Sequence, residues 1–542
     1  MTAIATRAPI GTLAVSIPSA VRRHAVLILW TGIAVGARIA FWAATDRTWE
    51  DALITVSNAR NALGDVGMTH HPGEGLVHSF TSALSVLVPL AGELLREGSG
   101  LAALRIASLI AAVATMGYGY AIARRLGIGG WPLGFVMAYL ALNQNHILYG
   151  MAGMETQVAV AVLLAGVFHV LHGHHARAGF AAGVAVLARP DLVLWLAIVV
   201  AWAASGGWRT LSRAAAAAAM PLTPWLVFTT LYYGSPMPHS IPAKAAIWSP
   251  LPVLEGPPSA IVGQLGDRAI VSLVNIVRAF TPFYEDTFVI DAPVPLVVLL
   301  AIGALIVALM ISGGRYSWNV ATWRPAVAYV VLFTAYRAAL LPLGYFDWYL
   351  PPFTAVCALL AGLGLQRLSR LSASVSRAIA LVLVAGVAIS LPFSFGLEAT
   401  IQRDVEYGIR RTVGLYLREV IEPGEAFIAE SAGYFGYYSK ATIWDQPGLT
   451  SPTAYAATRS LPPANRRVEG LVDRLRPEWA VLRPPEWARL ASDFPGAAAC
   501  YTPMRSFGYP DRDRVAWDGL LKVSFDWSFT VYRRVSTCPR AG

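Results

Sequence analysis

Stretches of about 20 apolar residues recur along most of this chain, and they constrain its fold more than any other feature. A stretch of that length is enough to cross the ~30 Å hydrocarbon layer of a bilayer as a helix. The stretches begin near residue 24 and end near residue 395 of 542. Charged residues form only 14% of the sequence, against about 25% in soluble domains. The sequence therefore predicts a polytopic α-helical membrane protein.

Eleven apolar segments are predicted to cross the membrane. They lie near residues 24–44, 101–123, 128–148, 155–172, 177–188, 191–205, 214–233, 293–312, 325–343, 348–367 and 378–395. A further apolar segment, 80–95, is left out because about 16 residues are short for a crossing. We interpret it as an interfacial or re-entrant helix. This choice places the short basic loops in the cytoplasm, in agreement with the positive-inside rule.

The protein is predicted to lie in the plasma (inner) membrane, and the resulting topology divides the chain into three parts. Residues 1–23 are predicted to be cytoplasmic, residues 24–395 to form the transmembrane domain, and residues 396–542 to lie outside the cytoplasm. The large outer loops are 45–100 and 234–292. The first apolar run is longer than the core of a signal peptide and lacks a clear cleavage site, so it is predicted to be an uncleaved anchor.

The extracytoplasmic tail is predicted to be an α/β domain. Short strand-like runs at 426–429, 479–482 and 529–532 alternate with helical stretches at 404–421 and 466–475, a pattern typical of mixed folds. The tail also holds two cysteines, Cys500 and Cys538. They could form a disulfide outside the cytoplasm or remain two free thiols, and spacing alone does not decide between these.

The net charge of +10 does not indicate a nucleic-acid partner. The basic residues lie in short loops between apolar runs, and do not form a patch with interleaved aromatic residues. The predicted cytoplasmic loops also lack a phosphate-binding loop of the GxxxxGK[ST] type, which argues against nucleotide chemistry on the inner face.

The first outer loop is predicted to carry an interfacial helix with an acidic pair, Glu50 and Asp51, in its first turn. Its apolar positions, which should lie on the membrane, are Trp49, Leu53, Val56 and Leu63. Asp51, Thr55 and Asn58 share another face at helical spacing. The acidic pair either complements the helix dipole or takes part in chemistry.

Four further outer segments place polar residues at the membrane surface, and each is weak alone. They are 153–156, 188–191, 232–244 and 345–349. An ionisable residue at membrane depth is costly and is a functional candidate by default. Arg189 and Asp191 can equally pair with each other in a structural turn.

The chain carries a fixed order of short motifs over nearly its whole length. These are Glu50-Asp51-Ala52-Leu53-Ile54-Thr55, Gly73-Glu74, Thr81-Ser82, Gly153-Met154-Glu155-Thr156, Arg189-Pro190-Asp191, Tyr232-Tyr233-Gly234, Ala243-Lys244, Trp348-Tyr349 and, in the tail, Ala432-Gly433-Tyr434-Phe435-Gly436 and Asp445-Gln446-Pro447-Gly448-Leu449. This order resembles the GT-C membrane glycosyltransferases, and is most similar to the branch that includes the actinobacterial terminal arabinofuranosyltransferase.

The resemblance implies an enzyme that moves a sugar, with arabinofuranose favoured, from a polyprenyl-phosphate donor in the bilayer. The acceptor would be a glycan, lipid or protein of the cell envelope on the outer face. Asp51 matches the acidic residue that does the acid/base work in the family. The preceding position, commonly Asp there, is Glu50, and the segment that reads Pro-Asn-Thr in many relatives is Pro238-His239-Ser240.

We therefore expect Asp51 to be the base that deprotonates the acceptor, with Glu50 raising its pKa by like-charge repulsion. The remaining candidates for binding the donor phosphate or substrate are Arg60, Glu74, Glu155, Arg189, Asp191, His239, Lys244 and Tyr349. No cofactor is required, although a divalent cation held by Asp51 and Glu155 is an open alternative.

Two other classes of protein remain as alternative hypotheses. A secondary transporter would place its substrate site near the bilayer midplane and often carry an internal repeat, whereas the polar residues here gather at one surface. A non-catalytic lipid- or sugar-binding membrane protein would share the same pocket without turnover.

Overall fold

The computed structural model describes residues 19–248, 257–280, 296–339, 346–508, 526–536 and 538. The first half of the described chain is helical. Its helices are α1 (Ser19–Thr45), α2 (Glu50–Asn61), α3 (Ala83–Leu95), α4 (Gly100–Arg125), α5 (Gly130–Leu142), α6 (Gln144–Met151), α7 (Thr156–Leu171), α8 (His175–Ala188), α9 (Val193–Ser205), α10 (Trp208–Tyr233), α11 (Ser240–Trp248) and α12 (Pro258–Arg278).

The second half begins with further helices and ends in the tail. The helices are α13 (Leu296–Ser317), α14 (Arg324–Ala339), α15 (Leu350–Leu371), α16 (Ala373–Thr400), a π-helical segment (Ile401–Arg411) and α17 (Thr412–Val420). The tail continues with β1 (Ala426–Ala429), α18 (Gly433–Ser439), β2 (Thr442–Asp445), α19 (Pro452–Ser460), α20 (Val468–Leu475), β3 (Trp479–Leu482), α21 (Pro484–Asp493), α22 (Pro495–Ala498), β4 (Tyr501–Gly508) and β5 (Ser528–Arg534).

Five helical stretches of the described chain are long and apolar enough to cross a membrane. They are His24–Thr45, Gly100–Arg125, Trp208–Tyr233, Asp347–Leu371 and Ala373–Val420. Shorter apolar helices, α7, α8, α9 and much of α13, coincide with other predicted crossings. The number of crossings itself stays a prediction. Helix α3 forms as expected at 80–95, and its 13 residues extend about 20 Å, short of the hydrocarbon thickness.

The prediction that residues 128–148 form a single crossing helix is wrong, because the helix is interrupted at Asn143. The Asn143 side chain accepts hydrogen bonds from the backbone N–H groups of Asn145 and His146, at 3.1 and 3.2 Å. An asparagine in this position caps the start of a helix. The segment therefore forms α5 and a separate short α6, which ends at Met151.

The tail is an α/β domain, as predicted, and its three predicted strand runs all enter one sheet. The strand order is β2-β1-β3-β5-β4. Strand β1 is parallel to β2 and β3, while β5 is antiparallel to β3 and β4. One apolar core lies between the sheet and α17 and α18, and a second contains residues of α20 and α21. Cys500 and Cys538 form a disulfide, which decides the question left open by their spacing.

The membrane domain and the tail share a continuous helical connection. From Ala373 to Val420 the chain runs for 48 residues as α16, the π-helical segment and α17 without a loop. The predicted domain boundary at 396 falls inside this connection. The helix therefore carries the tail directly on its end.

The prediction that Leu53 and Val56 of α2 face the membrane is wrong. Leu53 and Val56 are only 4% and 3% exposed, because α2 packs against α3, α4 and α18. Ile54 belongs to the apolar core of the tail. The apolar residues of α2 that suggested contact with lipid are therefore buried by protein. Leu63, another of the four positions predicted to face lipid, lies beyond the end of the helix and is 48% exposed.

Candidate functional site

A cavity of about 620 Å³ lies where the first outer loop, α11 and the tail meet the membrane domain. Six of the ten residues predicted from the sequence line it: Asp51, Glu155, Arg189, Asp191, Lys244 and Tyr349. They come from five separate segments of the chain. The fold thus brings most of the predicted polar residues to one place.

Asp51 faces the cavity from the first turn of α2. Burial raises the pKa of its carboxyl, while the positive charges of Lys244 and Arg189 act in the opposite direction. Repulsion by Glu50 was the expected cause of a raised pKa, and that expectation is wrong because burial dominates. Among the described residues, none donates a hydrogen bond to the Asp51 carboxylate or pairs with it.

Glu155 is placed by the tight turn that precedes α7. Gly153 in that turn has φ +93°, and a Cβ atom there would lie 3.0 Å from the Cβ of Ala52. Only glycine combines this backbone conformation with such a close approach. The Gly-Met-Glu motif therefore packs the start of α7 against α2 and directs Glu155 to the same cavity as Asp51.

Arg189 is held by partners on several sides. Its Nε donates to Asp191 Oδ1 at 3.1 Å, and its Nη1 donates to the Trp348 carbonyl at 3.0 Å. Nη1 is also 3.6 Å from Glu155 Oε1, and the guanidinium lies 4.1 Å from the centre of the Tyr349 ring. Arg189 and Asp191 thus form the structural pair considered above, and they also line the cavity.

Lys244 supplies the cavity with a cation that is not neutralised by an ion pair to any described residue. Its Nζ lies 5.4 Å from the centre of the Phe346 ring, a cation–π distance. A lysine in this situation can bind an anionic ligand without first breaking a salt bridge. Lys244 is therefore better placed than Arg189 to attract a phosphate.

Four predicted residues lie outside the cavity lining and contact the tail: Glu50, Arg60, Glu74 and His239. Glu50 contacts Gly433 and Arg410, and Arg60 contacts Tyr437. Glu74 contacts Thr453, and His239 contacts Tyr455. Arg60, Glu74 and His239 were expected to bind the donor phosphate or substrate, and Glu50 to act on Asp51. The tail occupies the positions in which a substrate was expected.

Glu50 shows the reason most clearly. Its Oε1 accepts the backbone N–H of Gly433 at 3.0 Å, and its Oε2 lies 2.9 Å from Arg410 Nη1. A Cβ atom on Gly433 would come within 2.3 Å of the Glu50 carbonyl oxygen, so a larger residue could not sit there. The glycine of the Ala-Gly-Tyr-Phe-Gly motif thus lets α18 rest directly on the first turn of α2.

The cavity also contains residues that the sequence analysis did not assign to a site. Leu449 comes from the tail, Tyr336 from α14, and Val193, Leu194 and Ala197 from α9. These residues are of common apolar or aromatic types, and they are distant from Asp51 along the chain. No local pattern could have singled them out.

In the described part of the chain, no cluster of three or more His, Cys, Asp and Glu side chains could hold a metal ion. Asp51 and Glu155 nevertheless line the same cavity. A divalent ion between them stays an untested alternative.

The whole chain is similar in structure to ArnT from Cupriavidus metallidurans. The crystal structure of ArnT bound to undecaprenyl phosphate matches with a TM-score of 0.55 and 12% sequence identity, covering 95% of this chain and 99% of ArnT. The apo structure of ArnT matches with a TM-score of 0.53 and 13% identity over the same shares. The chain has the GT-C membrane fold.

Within this GT-C fold, the tail also matches a sequence family of its own. Residues 399–532 match a domain of unknown function, DUF8728. No curated protein sequence matches the chain.

Proposed function

We propose that the protein is a membrane glycosyltransferase that moves a sugar from a polyprenyl-phosphate donor to an acceptor hydroxyl on the outer face. One observation carries the proposal: Asp51 and Lys244 line the same cavity, and neither forms an ion pair with a described residue. A buried base and an available cation are the two groups that this transfer needs.

The reaction assigns a separate task to each group. The Asp51 carboxylate takes the proton of the acceptor hydroxyl as the acceptor oxygen bonds to the anomeric carbon of the donor sugar. The bond between that carbon and the phosphate oxygen breaks, and polyprenyl phosphate leaves. Lys244, together with Arg189, stabilises the negative charge that the phosphate gains. Asp191 and the Trp348 carbonyl keep Arg189 in place.

The apolar wall of the cavity supports a lipid-linked donor. Val193, Leu194 and Ala197 of α9 and Tyr336 of α14 line this wall. Val193 is 55% exposed, so the wall is accessible to an apolar chain. ArnT, which has the same fold, was crystallised with undecaprenyl phosphate. A prenyl chain along α9 would enter the cavity that Lys244 also lines.

The finer assignments rest on weaker support. Arabinofuranose as the sugar and a cell-envelope glycan as the acceptor follow from the order of motifs described above. The placement of the tail outside the cytoplasm is supported by the disulfide between Cys500 and Cys538, because such bonds persist in oxidising compartments.

The decisive experiment compares Asp51→Asn with the parent protein, using purified protein and a synthetic polyprenyl-phosphate arabinose as donor. We expect transfer to fall by about 10²–10⁴-fold, the contribution typical of a positioned base, while donor binding is retained. Glu50→Gln is the matched control, because Glu50 faces the tail; it should lose less than about tenfold.

Parental transfer by Asp51→Asn would overturn the assignment of the base. A parent protein that binds the donor but never transfers its sugar would instead favour the non-catalytic binding protein or the transporter.

A further inference from the structure

A short loop of the tail reaches into the cavity. This loop joins β2 to α19, and its residue Leu449 lines the cavity. The buried Asp445 carboxylate holds the loop by accepting the backbone N–H of Leu449 at 2.6 Å and that of Thr450 at 2.8 Å. It also accepts the Thr450 hydroxyl at 2.7 Å. Three hydrogen bonds to this one carboxylate therefore hold Leu449 and the adjoining Thr450 in position.

The same part of the tail holds the helix that carries Lys244. Arg466 Nη1 donates to the carbonyl of Ala246 in α11 at 2.9 Å. The His239 ring, just before α11, meets the Tyr455 ring edge-on at 5.0 Å. On the other side, the His239 N–H donates to the His78 carbonyl at 2.9 Å. Helix α11 is thus clamped between the tail and the first outer loop.

The cavity lining combines apolar and hydroxyl-bearing segments. Val193, Leu194 and Ala197 of α9 are apolar, whereas Thr81 and Ser240, whose oxygens are 3.0 Å apart, carry hydroxyl groups. A lipid-linked donor must extend towards the bilayer, and therefore along the apolar helices. The part of the lining that contains Thr81 and Ser240 is left for the second substrate.

We propose that Leu449 determines acceptor specificity, and that the part of the cavity lined by Thr81, Ser240 and Leu449 takes the hydroxyl-rich end of a glycan. This inference rests on the proposed transferase function. Hydroxyl side chains can exchange hydrogen bonds with sugar hydroxyls, and a leucine in the same lining limits the size and orientation of the sugar that reaches Asp51. The tail is then part of the acceptor site.

The test uses Leu449→Ala and Leu449→Trp in the full-length protein with a synthetic polyprenyl-phosphate arabinose donor. Two soluble acceptors, a monosaccharide glycoside and a linear trisaccharide glycoside, are compared. We expect Leu449→Trp to lower kcat/KM for the trisaccharide about tenfold more than for the monosaccharide, as expected for a change in pocket shape. Leu449→Ala should shift the ratio in the opposite direction, and the donor KM should stay near the parental value.

Leu415, an exposed leucine of α17 in the same tail, provides the matched control. Leu415→Ala and Leu415→Trp should leave the ratio of the two acceptors unchanged. An unchanged ratio in both Leu449 variants, or a change confined to the donor KM, would overturn the inference. If Leu449→Trp does not fold, Leu449→Ala decides the question alone. Absence of transfer in the parent would count against the proposed function instead.

Discussion

The surroundings of Asp51 and Lys244 affect their charges differently. Burial works against the charge of Asp51, whereas Lys244 faces the cavity without an ion-pair partner among the described residues. Lys244 is one of the two positively charged residues that counter the rise in the Asp51 pKa. The proposed base and the proposed phosphate-binding cation are therefore coupled electrostatically, and removing Lys244 should alter the titration of Asp51.

This coupling predicts the pH dependence of transfer. Only ionised Asp51 can act as the base, so kcat/KM should fall as the pH drops through its raised pKa. Lys244→Met removes a positive charge that lowers this pKa, and should move the acidic limb of the profile to higher pH. The measurement is kcat/KM against pH for both proteins.

Arg60→Met serves as the control, because Arg60 stacks on Tyr437 in the tail and is not part of the cavity lining. Its acidic limb should coincide with that of the parent. A limb at the same pH in Lys244→Met would show that the carboxyl being titrated is not Asp51.

Helix α2 connects the tail to the cavity at the scale of single elements. Asp51 faces the cavity and the neighbouring Glu50 faces α18. Arg410 of the π-helical segment lies between Glu50 Oε2 at 2.9 Å and Glu406 Oε2 at 3.3 Å, and it also binds Asp526. One guanidinium thus neutralises carboxylates from three segments, and fixes α2 against the tail.

Removing this guanidinium should destabilise the contact between the tail and α2. Arg410→Met leaves three carboxylates without their shared cation, and breaking a buried ion pair costs about 3–5 kcal/mol. Thermal unfolding of the purified protein in detergent should show a clear drop in Tm. Limited proteolysis should cut the tail of the variant faster than that of the parent.

The adjacent Arg411 is exposed and lies over the Tyr407 and Tyr438 rings. Arg411→Met should cost less than about 1 kcal/mol, so the two neighbouring substitutions separate a buried from an exposed guanidinium. Equal losses of Tm would contradict the role assigned to Arg410.

At the scale of the whole molecule, the tail and the membrane domain act as one structure. Arg47, which precedes α2, pairs with Glu398 at 2.6 Å and with Glu406 at 3.0 Å. All three are buried, and both glutamates lie on the helical connection from Ala373 to Val420. This connection therefore binds the first outer loop, and Leu449 of the tail contributes to the cavity lining.

The disulfide allows a direct measurement of which side of the membrane holds the tail. A membrane-impermeant maleimide should label intact cells only after mild reduction, because Cys500 and Cys538 are bonded and Cys357 is buried within α15. The double variant Cys500→Ser/Cys538→Ser should not be labelled under either condition. Labelling of the parent that requires permeabilised cells would place the tail in the cytoplasm.

The sequence by itself determined the class of fold and three of the five strands of the tail. Apolar stretches, strand-like runs and the order of short motifs are local properties, so the helices and the strands at 426–429, 479–482 and 529–532 could be found without contacts. The break at Asn143 escaped because one capping side chain interrupted an apolar run that otherwise read as a single helix.

Only the tertiary structure decided which motif residues share a cavity. Glu50 and Asp51 are adjacent in sequence, yet successive residues of a helix point about 100° apart, and what lies in each direction depends on distant segments. Gly433 and Arg410 occupy one direction, and Lys244 and Leu449 border the other. Apolar residues of α2 looked suited to lipid because a sequence does not reveal whether lipid or protein will cover them.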